Sequence, residues 1–422
     1  MNRRTILHRL GMTIGALSLP SLSVASPNKN PFADPLADPA DEAYWREFAH
    51  AHYDVNRDFI NLENGYFGVQ PRSVIAAYHE NADYVNRNSS RFMRQRFYPG
   101  NFADSMDAIY EITGANPGEL LLTRNATEAL NILIQGMDLQ KGDQVILQHH
   151  DYHSMIETYQ MLEKTKGIEL VYVDIPLIPE NPEQVIQIYM NAITPRTKCI
   201  LLTHLNHLTG LIIPVADISR KAREKGVAVI VDAAHSFAQV DYKMTDLDAD
   251  FIAVNLHKWF SNPLGAGLLY IRKEKIPEIR PLYGDASHEP DDILKLGHFG
   301  TPAAPVVMTL KASADFNRMV TIPVKEKRLR YLQNYWTSQA AKIDRVEVVT
   351  PSDPEQSCAI ASFKMDGMDS YDLVRLLDED FGVFTVIRRL KDQVVVRVTP
   401  NLYNGTGDLD VFLDGIRNIS SR

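Results

Sequence analysis

A chain of 422 residues with 45% hydrophobic and 9% aromatic content exceeds one ordinary domain and can bury a large core, so two domains are expected. A net charge of -9 argues against nucleic acid or an anionic membrane as the main partner, since both reward clustered Lys and Arg. Only two cysteines occur, Cys199 and Cys358, both in apolar runs, so there is no disulfide framework and the fold rests on its core.

The first residues set Arg3 and Arg4 before a modest apolar stretch that Gly, Ser and Pro interrupt, with small residues at Ser23-Val24-Ala25. That stretch is too short and broken for a membrane span, and residues 1–25 read as a twin-arginine export signal removed near Ala25. Removal takes Arg3, Arg4 and Arg9 and no acidic residue, so the mature chain is more acidic still. The expected destination is the periplasm, with no membrane contact after removal. Residues 26–40, rich in Pro, Asn, Asp and Ala, read as a linker that meets the body at Asp41-Glu42-Ala43-Tyr44-Trp45.

Short apolar runs at 119–122, 144–147, 170–173, 199–203, 227–231, 251–254 and 267–271 follow, several separated by helix-length segments such as 215–225. Strands alternating with helices predict an α/β domain over 41–315, built on a mostly parallel sheet with both faces covered. Beyond it the rhythm changes to runs at 346–349, 359–363, 381–386 and 394–398, with helices near 371–377 and 409–416. Residues 316–422 therefore read as a smaller α+β domain.

In an open α/β sheet the ligand lies beyond the carboxyl ends of the strands. The run 227–231 is followed by Asp232-Ala233-Ala234-His235, and the run 251–254 by Asn255-Leu256-His257-Lys258-Trp259. A carboxylate and an amine thus stand at the ends of two neighbouring runs, which suits pyridoxal phosphate. Its aldehyde needs an amine for an imine, and its pyridine nitrogen needs an anion to stay protonated so that the ring accepts electrons. A lysine after a strand is by itself an ordinary surface residue; its spacing from Asp232 gives the pair meaning. The turn 124–128 offers backbone N–H groups and the Thr127 hydroxyl to a phosphate at a helix start, or plain capping by Asn125 or Thr127. Gln148-His149-His150-Asp151-Tyr152-His153 offers an imidazole or a phenol to lie flat against a pyridine ring. Zinc is its rival, ranked lower because no second ligand cluster stands at a matching strand end, and no metal is expected.

These segments, with Pro263-Leu264-Gly265 after them, resemble the class V aminotransferase superfamily of fold type I pyridoxal-phosphate enzymes. Within it they look most like isopenicillin N epimerase-type proteins, over about residues 59–410. The resemblance implies a seven-stranded-type sheet in the large domain and a homodimer. It makes Lys258 the Schiff-base lysine and Asp232 the pyridinium partner, and it sets His235 beside the cofactor oxygen. Ala126, Thr127, Asn255 and His257 would hold the phosphate, and Thr301 would reach the phosphate of the neighbouring subunit. His150 is the first choice for the ring-stacking residue and Tyr152 the alternative, because two registers of the segment are possible. Arg397, in Val396-Arg397-Val398-Thr399-Pro400, is similar to the family arginine that clamps the substrate carboxylate bidentately. Asn64 would line the substrate entrance.

Departures narrow the expectation. Cysteine desulfurases of the superfamily need a nucleophilic cysteine shortly before that arginine, and 384–396 holds none, so desulfurase activity is not expected. His207 stands where many relatives have a smaller polar residue. The export signal and the run 59–71 are similar to exported pyridoxal enzymes that tailor pyoverdine siderophores, one of which converts a peptide's N-terminal glutamate to a succinyl-type group. The chain is therefore expected to act at the α-carbon of an amino acid or of a peptide's N-terminal residue, on a substrate bearing an amine and a carboxylate. The alternatives are an epimerase of the isopenicillin N epimerase type or an aminotransferase, and the residues do not choose among transamination, epimerisation and decarboxylation. Tyr66, His153 and Arg388 are candidates for a second acid, and Arg388-Arg389 for a second carboxylate, against the plain reading of a solvated charge pair. A non-catalytic protein on this fold would keep the phosphate turn without needing Lys258.

Overall fold

The computed structural model describes residues 37–284, 287–298 and 300–422, so the expected export signal and most of the linker lie outside the described residues. Asp41 caps the helix Glu42–His52, its Oδ1 accepting from the Ala43 and Tyr44 N–H groups at 3.1 Å each. Trp45 and Phe48 on that helix are buried in the core.

After a short strand β1 (Ile60–Asn61) and the helices Arg72–Phe92 and Phe102–Thr113 come β2 (Leu120–Thr123), β3 (Gln144–Gln148), β4 (Glu169–Val173), β5 (Thr197–Thr203), β6 (Ala228–Asp232), β7 (Phe251–Asn255) and β8 (Gly267–Ile271). The last seven form one sheet in the order β2-β8-β7-β6-β5-β3-β4, parallel except for β8, which runs antiparallel to both neighbours. Side chains alternate between faces with period two. Ile200 and Leu202 of β5 pack with Val185 and Ile218 of the helices Pro182–Ala192 and Val215–Glu224. Cys199 and Leu201 pack with Leu133 and Tyr159 of the helices Ala126–Gly136 and His153–Lys166 on the other face. Burial on both faces is why the central strands β5, β6 and β7 carry continuous apolar runs, and why polar residues stand at their carboxyl ends.

The C-terminal part adds β9 (Val346–Val348), β10 (Ala361–Met365), β11 (Val383–Phe384), β12 (Val386–Arg389) and β13 (Val394–Val398). A four-stranded antiparallel sheet, β12-β13-β10-β9, packs with the helices Ile322–Ala340, Ser370–Phe381 and Thr406–Ser420 around Trp336, Phe363 and Phe412. Two expected boundaries need correction. The break at 315/316 falls inside the helix Ala304–Val320, which packs on Arg72–Phe92 and Phe102–Thr113 of the large domain; the chain turns instead at Thr321, with φ +61. The segment around residue 60, assigned by position to the large domain, joins the small one. Ile60 pairs with Val383 in a parallel ladder, and Leu62 is buried with Trp336 and Phe363. Ile60 and Leu62 share one face of an extended segment, and the small-domain core covers it.

Candidate active site

All six mutually parallel strands of the large sheet end on one edge. A cavity of about 1180 Å³ opens there, lined by the strand-end residues Thr123, Thr203, Asp232 and Asn255 and, from the small domain, by Arg388 and Arg397. Pockets for one drug-sized ligand measure roughly 300–1,000 Å³, so there is room for a cofactor and a substrate together.

Asp232 closes β6, its Oδ1 accepting the Ala234 N–H at 2.9 Å, and burial raises its carboxyl above the ordinary value. Lys258 enters from the turn after β7, the neighbouring strand. Burial pulls its amine down to about 7, against the opposing pull of the Asp232 carboxylate. The Lys258 Nζ lies 2.8 Å from His235 Nε2. Burial, and next the Lys258 charge, hold the His235 imidazole well below its usual value. The His207 ring lies parallel to it, centroids 6.2 Å apart and planes at 16°.

The lysine's loop is clamped from two sides. Gly68 donates its N–H to the His257 carbonyl at 2.9 Å, and a Cβ there would stand 2.4 Å from the Lys258 carbonyl oxygen, so only glycine lets the N-terminal segment seat on this loop. From beneath, the buried Lys325 Nζ donates to the Trp259 carbonyl and, at 3.2 Å, to Asn317 Oδ1.

The helix Ala126–Gly136 starts at the cavity. Asn125 caps it, Oδ1 accepting from Glu128 N–H at 2.9 Å, so the capping reading of this turn is correct. The turn is also tied to β7, because Asn255 Oδ1 accepts the Ala126 N–H at 2.8 Å. Thr127 lines the cavity in the first turn, where backbone N–H groups have no acceptor within the helix and an anion is favoured. His235, also in the lining, keeps a buried Nδ1 with no protein partner. Burial, and next the Lys258 charge, pull His257 down to about 4. A buried carboxylate, a near-neutral amine, an unsatisfied imidazole nitrogen and the helix start at Thr127 form a donor set that fits pyridoxal phosphate.

The expected site residues do not all arrive. Asp232, His235, Ala126, Thr127, Tyr152, Asn255, His257, Lys258, Thr301 and Arg397 line the cavity. His150, the first choice for ring stacking, does not, while Tyr152, the alternative, does. The reason is the turn that Asp151 makes: its Oδ2 accepts the Gln148 N–H at 2.8 Å and its Oδ1 accepts the Thr203 hydroxyl at 2.6 Å. His149 then stacks on Tyr172, and the His150 carbonyl accepts from Asn206 Nδ2. Tyr152 meets the His207 ring edge-on at 5.7 Å. Asn64 is likewise corrected. It is buried, giving Nδ2 to the Thr399 carbonyl at 2.8 Å and accepting from the Tyr403 hydroxyl at 2.6 Å, so it holds the entrance segment and is not part of the cavity lining. Thr301 lines this chain's own cavity.

Two residues were missed. Asp151 lines the cavity with its carboxyl pushed up to about 7 by burial. Glu63 forms a buried ion pair with Arg397. The visible signal for Glu63 was a lone acid in Ile60-Asn61-Leu62-Glu63-Asn64-Gly65, a segment otherwise without charge.

The family model for aminotransferase class-V matches residues 69–387. Isopenicillin N epimerase of Streptomyces clavuligerus is 24% identical over 391 residues, covering 89% of this chain and 98% of the relative. A cysteine desulfurase of Haloferax volcanii is 25% identical, covering 86% and 90%. Among solved structures, the apo cysteine desulfurase of Thermococcus onnurineus superposes with a TM-score of 0.78 at 20% identity, covering 89% of this chain and 98% of that one. A C-DES mutant with glycine covalently linked to its PLP cofactor gives 0.77 at 21% identity, covering 86% and 97%. The fold is that of the fold type I pyridoxal-phosphate enzymes. Unlike a site with a cysteine nucleophile, this cavity has neither Cys199 nor Cys358 in its lining; both are fully buried, and burial pushes each thiol up to about 12.

Proposed function

Because the chain belongs to the class V aminotransferase family, we propose that it is a pyridoxal-phosphate-dependent enzyme acting at the α-carbon of a substrate that bears an amine and a carboxylate. The observation that carries this reading is the convergence of Lys258, Asp232 and the capped helix start in one cavity that Arg397 closes from the small domain. Bound pyridoxal phosphate supplies an electron sink for a bond broken at the α-carbon. Asp232 would keep the pyridine nitrogen protonated, and Ala126, Thr127 and His257 would hold the phosphate. Tyr152 would cover the ring. Lys258, with an amine drawn toward neutrality, is suited to take a proton from the α-carbon, and His235 at 2.8 Å orients it. The absence of a cysteine from the cavity lining favours a reaction at the α-carbon over sulfur transfer.

The finer reading is periplasmic tailoring of a siderophore-type peptide at a glutamyl residue, after export by the twin-arginine route; its support is Arg3 and Arg4 with the apolar stretch that follows. An epimerase of the isopenicillin N type is the second reading, favoured by the relative that covers 89% of the chain. A homodimer is proposed as well, supported by Tyr66 and Leu264, which are 71% and 55% exposed at the cavity. Incubation with amino-terminal glutamyl peptides and with free amino acids, followed by mass and chirality of the products, tests the reaction. A mass loss gives decarboxylation, a ketone transamination, and unchanged mass with inverted chirality epimerisation; unaltered substrates throughout would refute the reading. Replacing Arg3 and Arg4 with Lys should strand the protein in the cytoplasm, and unchanged periplasmic activity would refute export.

A further inference from the structure

Arg397 reaches the cavity already engaged. One terminal nitrogen is ion-paired with Glu63 and the other donates to the His207 carbonyl at 2.8 Å, while Nε has no protein partner. The Gly65 backbone lies so near that a Cβ there would stand 2.6 Å from the guanidinium. Arg388 comes within 3.3 Å of the same Glu63 carboxylate oxygen. Both arginines line the cavity and Glu63 does not.

Two cations and one anion leave a net charge of one at this end of the cavity. Glu63 is a fixed member of the cluster: its N–H donates to Asn61 Oδ1 at 3.0 Å, its backbone bridges to Thr399, and its side chain is 6% exposed. Arg389 also lines the cavity, but its side chain is exposed, where solvent and salt screen its charge. A first carboxylate from a substrate therefore balances the cluster, and a second would sit uncompensated near the Glu63 charge in a partly desolvated site.

We propose that Glu63 is a specificity-determining residue that restricts the Arg388 and Arg397 pair to one substrate carboxylate. The site thus takes amines carrying a single free carboxylate at this end, such as an amino acid with a neutral side chain or a glutamyl residue with one carboxyl in amide linkage, and disfavours free dicarboxylates. This rests on the reading that the cavity handles an amine with a carboxylate.

Pentanoate and glutarate, five-carbon acids with one and two carboxylates, are the probes, titrated calorimetrically into the pyridoxal-phosphate-loaded protein and again into the cofactor-free protein. Wild type should bind pentanoate at least as tightly as glutarate. Glu63→Gln should shift the ratio toward glutarate by roughly tenfold or more, the scale expected for one charge a few ångströms away in a partly buried site. Arg388→Gln, which brings the cluster to zero charge, should weaken pentanoate by roughly tenfold and needs no change at Glu63. A wild type that prefers glutarate tenfold, a ratio unmoved in Glu63→Gln, or pentanoate binding unmoved in Arg388→Gln would overturn the proposal. Failure of pyridoxal phosphate to attach at Lys258 would instead sink the function reading, while the carboxylate preference stays measurable in the cofactor-free protein.

Discussion

Gly68→Ala strikes the lysine's loop without touching a titratable group. The new Cβ would stand 2.4 Å from the Lys258 carbonyl oxygen, a rigid backbone atom, where ordinary contact begins at 3.4 Å, so the two segments must part by about 1 Å. Overpacking of this kind costs roughly 1–3 kcal/mol, and the Gly68 to His257 hydrogen bond is strained with it. A displacement of about 1 Å in a reacting group slows turnover by roughly 10²-fold. The control is Gly407→Ala, whose Cβ meets nothing within 4 Å near the start of the helix Thr406–Ser420 and which should be neutral or stabilising by up to about 1 kcal/mol. Thermal unfolding and turnover of the substrate identified by the product assay read both effects. A Gly68→Ala protein as stable and as active as wild type would refute the reasoning that this close approach positions Lys258.

Asp232→Asn keeps the shape of the strand end but removes the anion, and turnover should fall by on the order of 10²-fold or more; an active enzyme within a few-fold of wild type would contradict the role given to Asp232. Tyr152→Ala should weaken pyridoxal-phosphate binding several-fold, on the scale of about 0.5–1.5 kcal/mol for an aromatic contact, while His150→Ala should not, as read by absorbance titration; the reverse order would restore the other register. Lys325 is buried and its amine is pulled down to about 7 from an ordinary 10.5. Between those two pH values the unfolded chain holds the proton that the folded chain has released, so stability rises with pH across the window and is lost as pH falls through about 7. In urea unfolding, Lys325→Met should remove a pH dependence on the order of a few kcal/mol, and parallel pH profiles would count against it.

The central sheet was legible because its strands are buried on both faces and end in polar residues, so β6 to Asp232 and β7 to Lys258 could be read as neighbours from runs alone. That adjacency is also why the cofactor was legible. The stacking residue was not, because one turn stabilised by Asp151 decides whether His150 or Tyr152 faces inward, and such a turn leaves no periodic trace. Glu63 and Arg397 lie 334 positions apart, and the pairing of β1 with β11 together with the bridge from Glu63 to Thr399 brings them together. Asn64 was set at the entrance by the resemblance, and its partners Thr399 and Tyr403, far along the chain, leave no mark beside it in the sequence. The domain break was misplaced because the helix Ala304–Val320 continues past the expected boundary, and the mark of its end, Pro323 just after Thr321, was not used.

The central claim is that Lys258 carries pyridoxal phosphate beside Asp232. Borohydride reduction of the loaded protein followed by peptide mass spectrometry tests it most directly. The expected result is a phosphopyridoxyl group on the peptide containing Lys258 and none in Lys258→Ala. Label on another lysine, such as the buried Lys325, or no label at all, would contradict it.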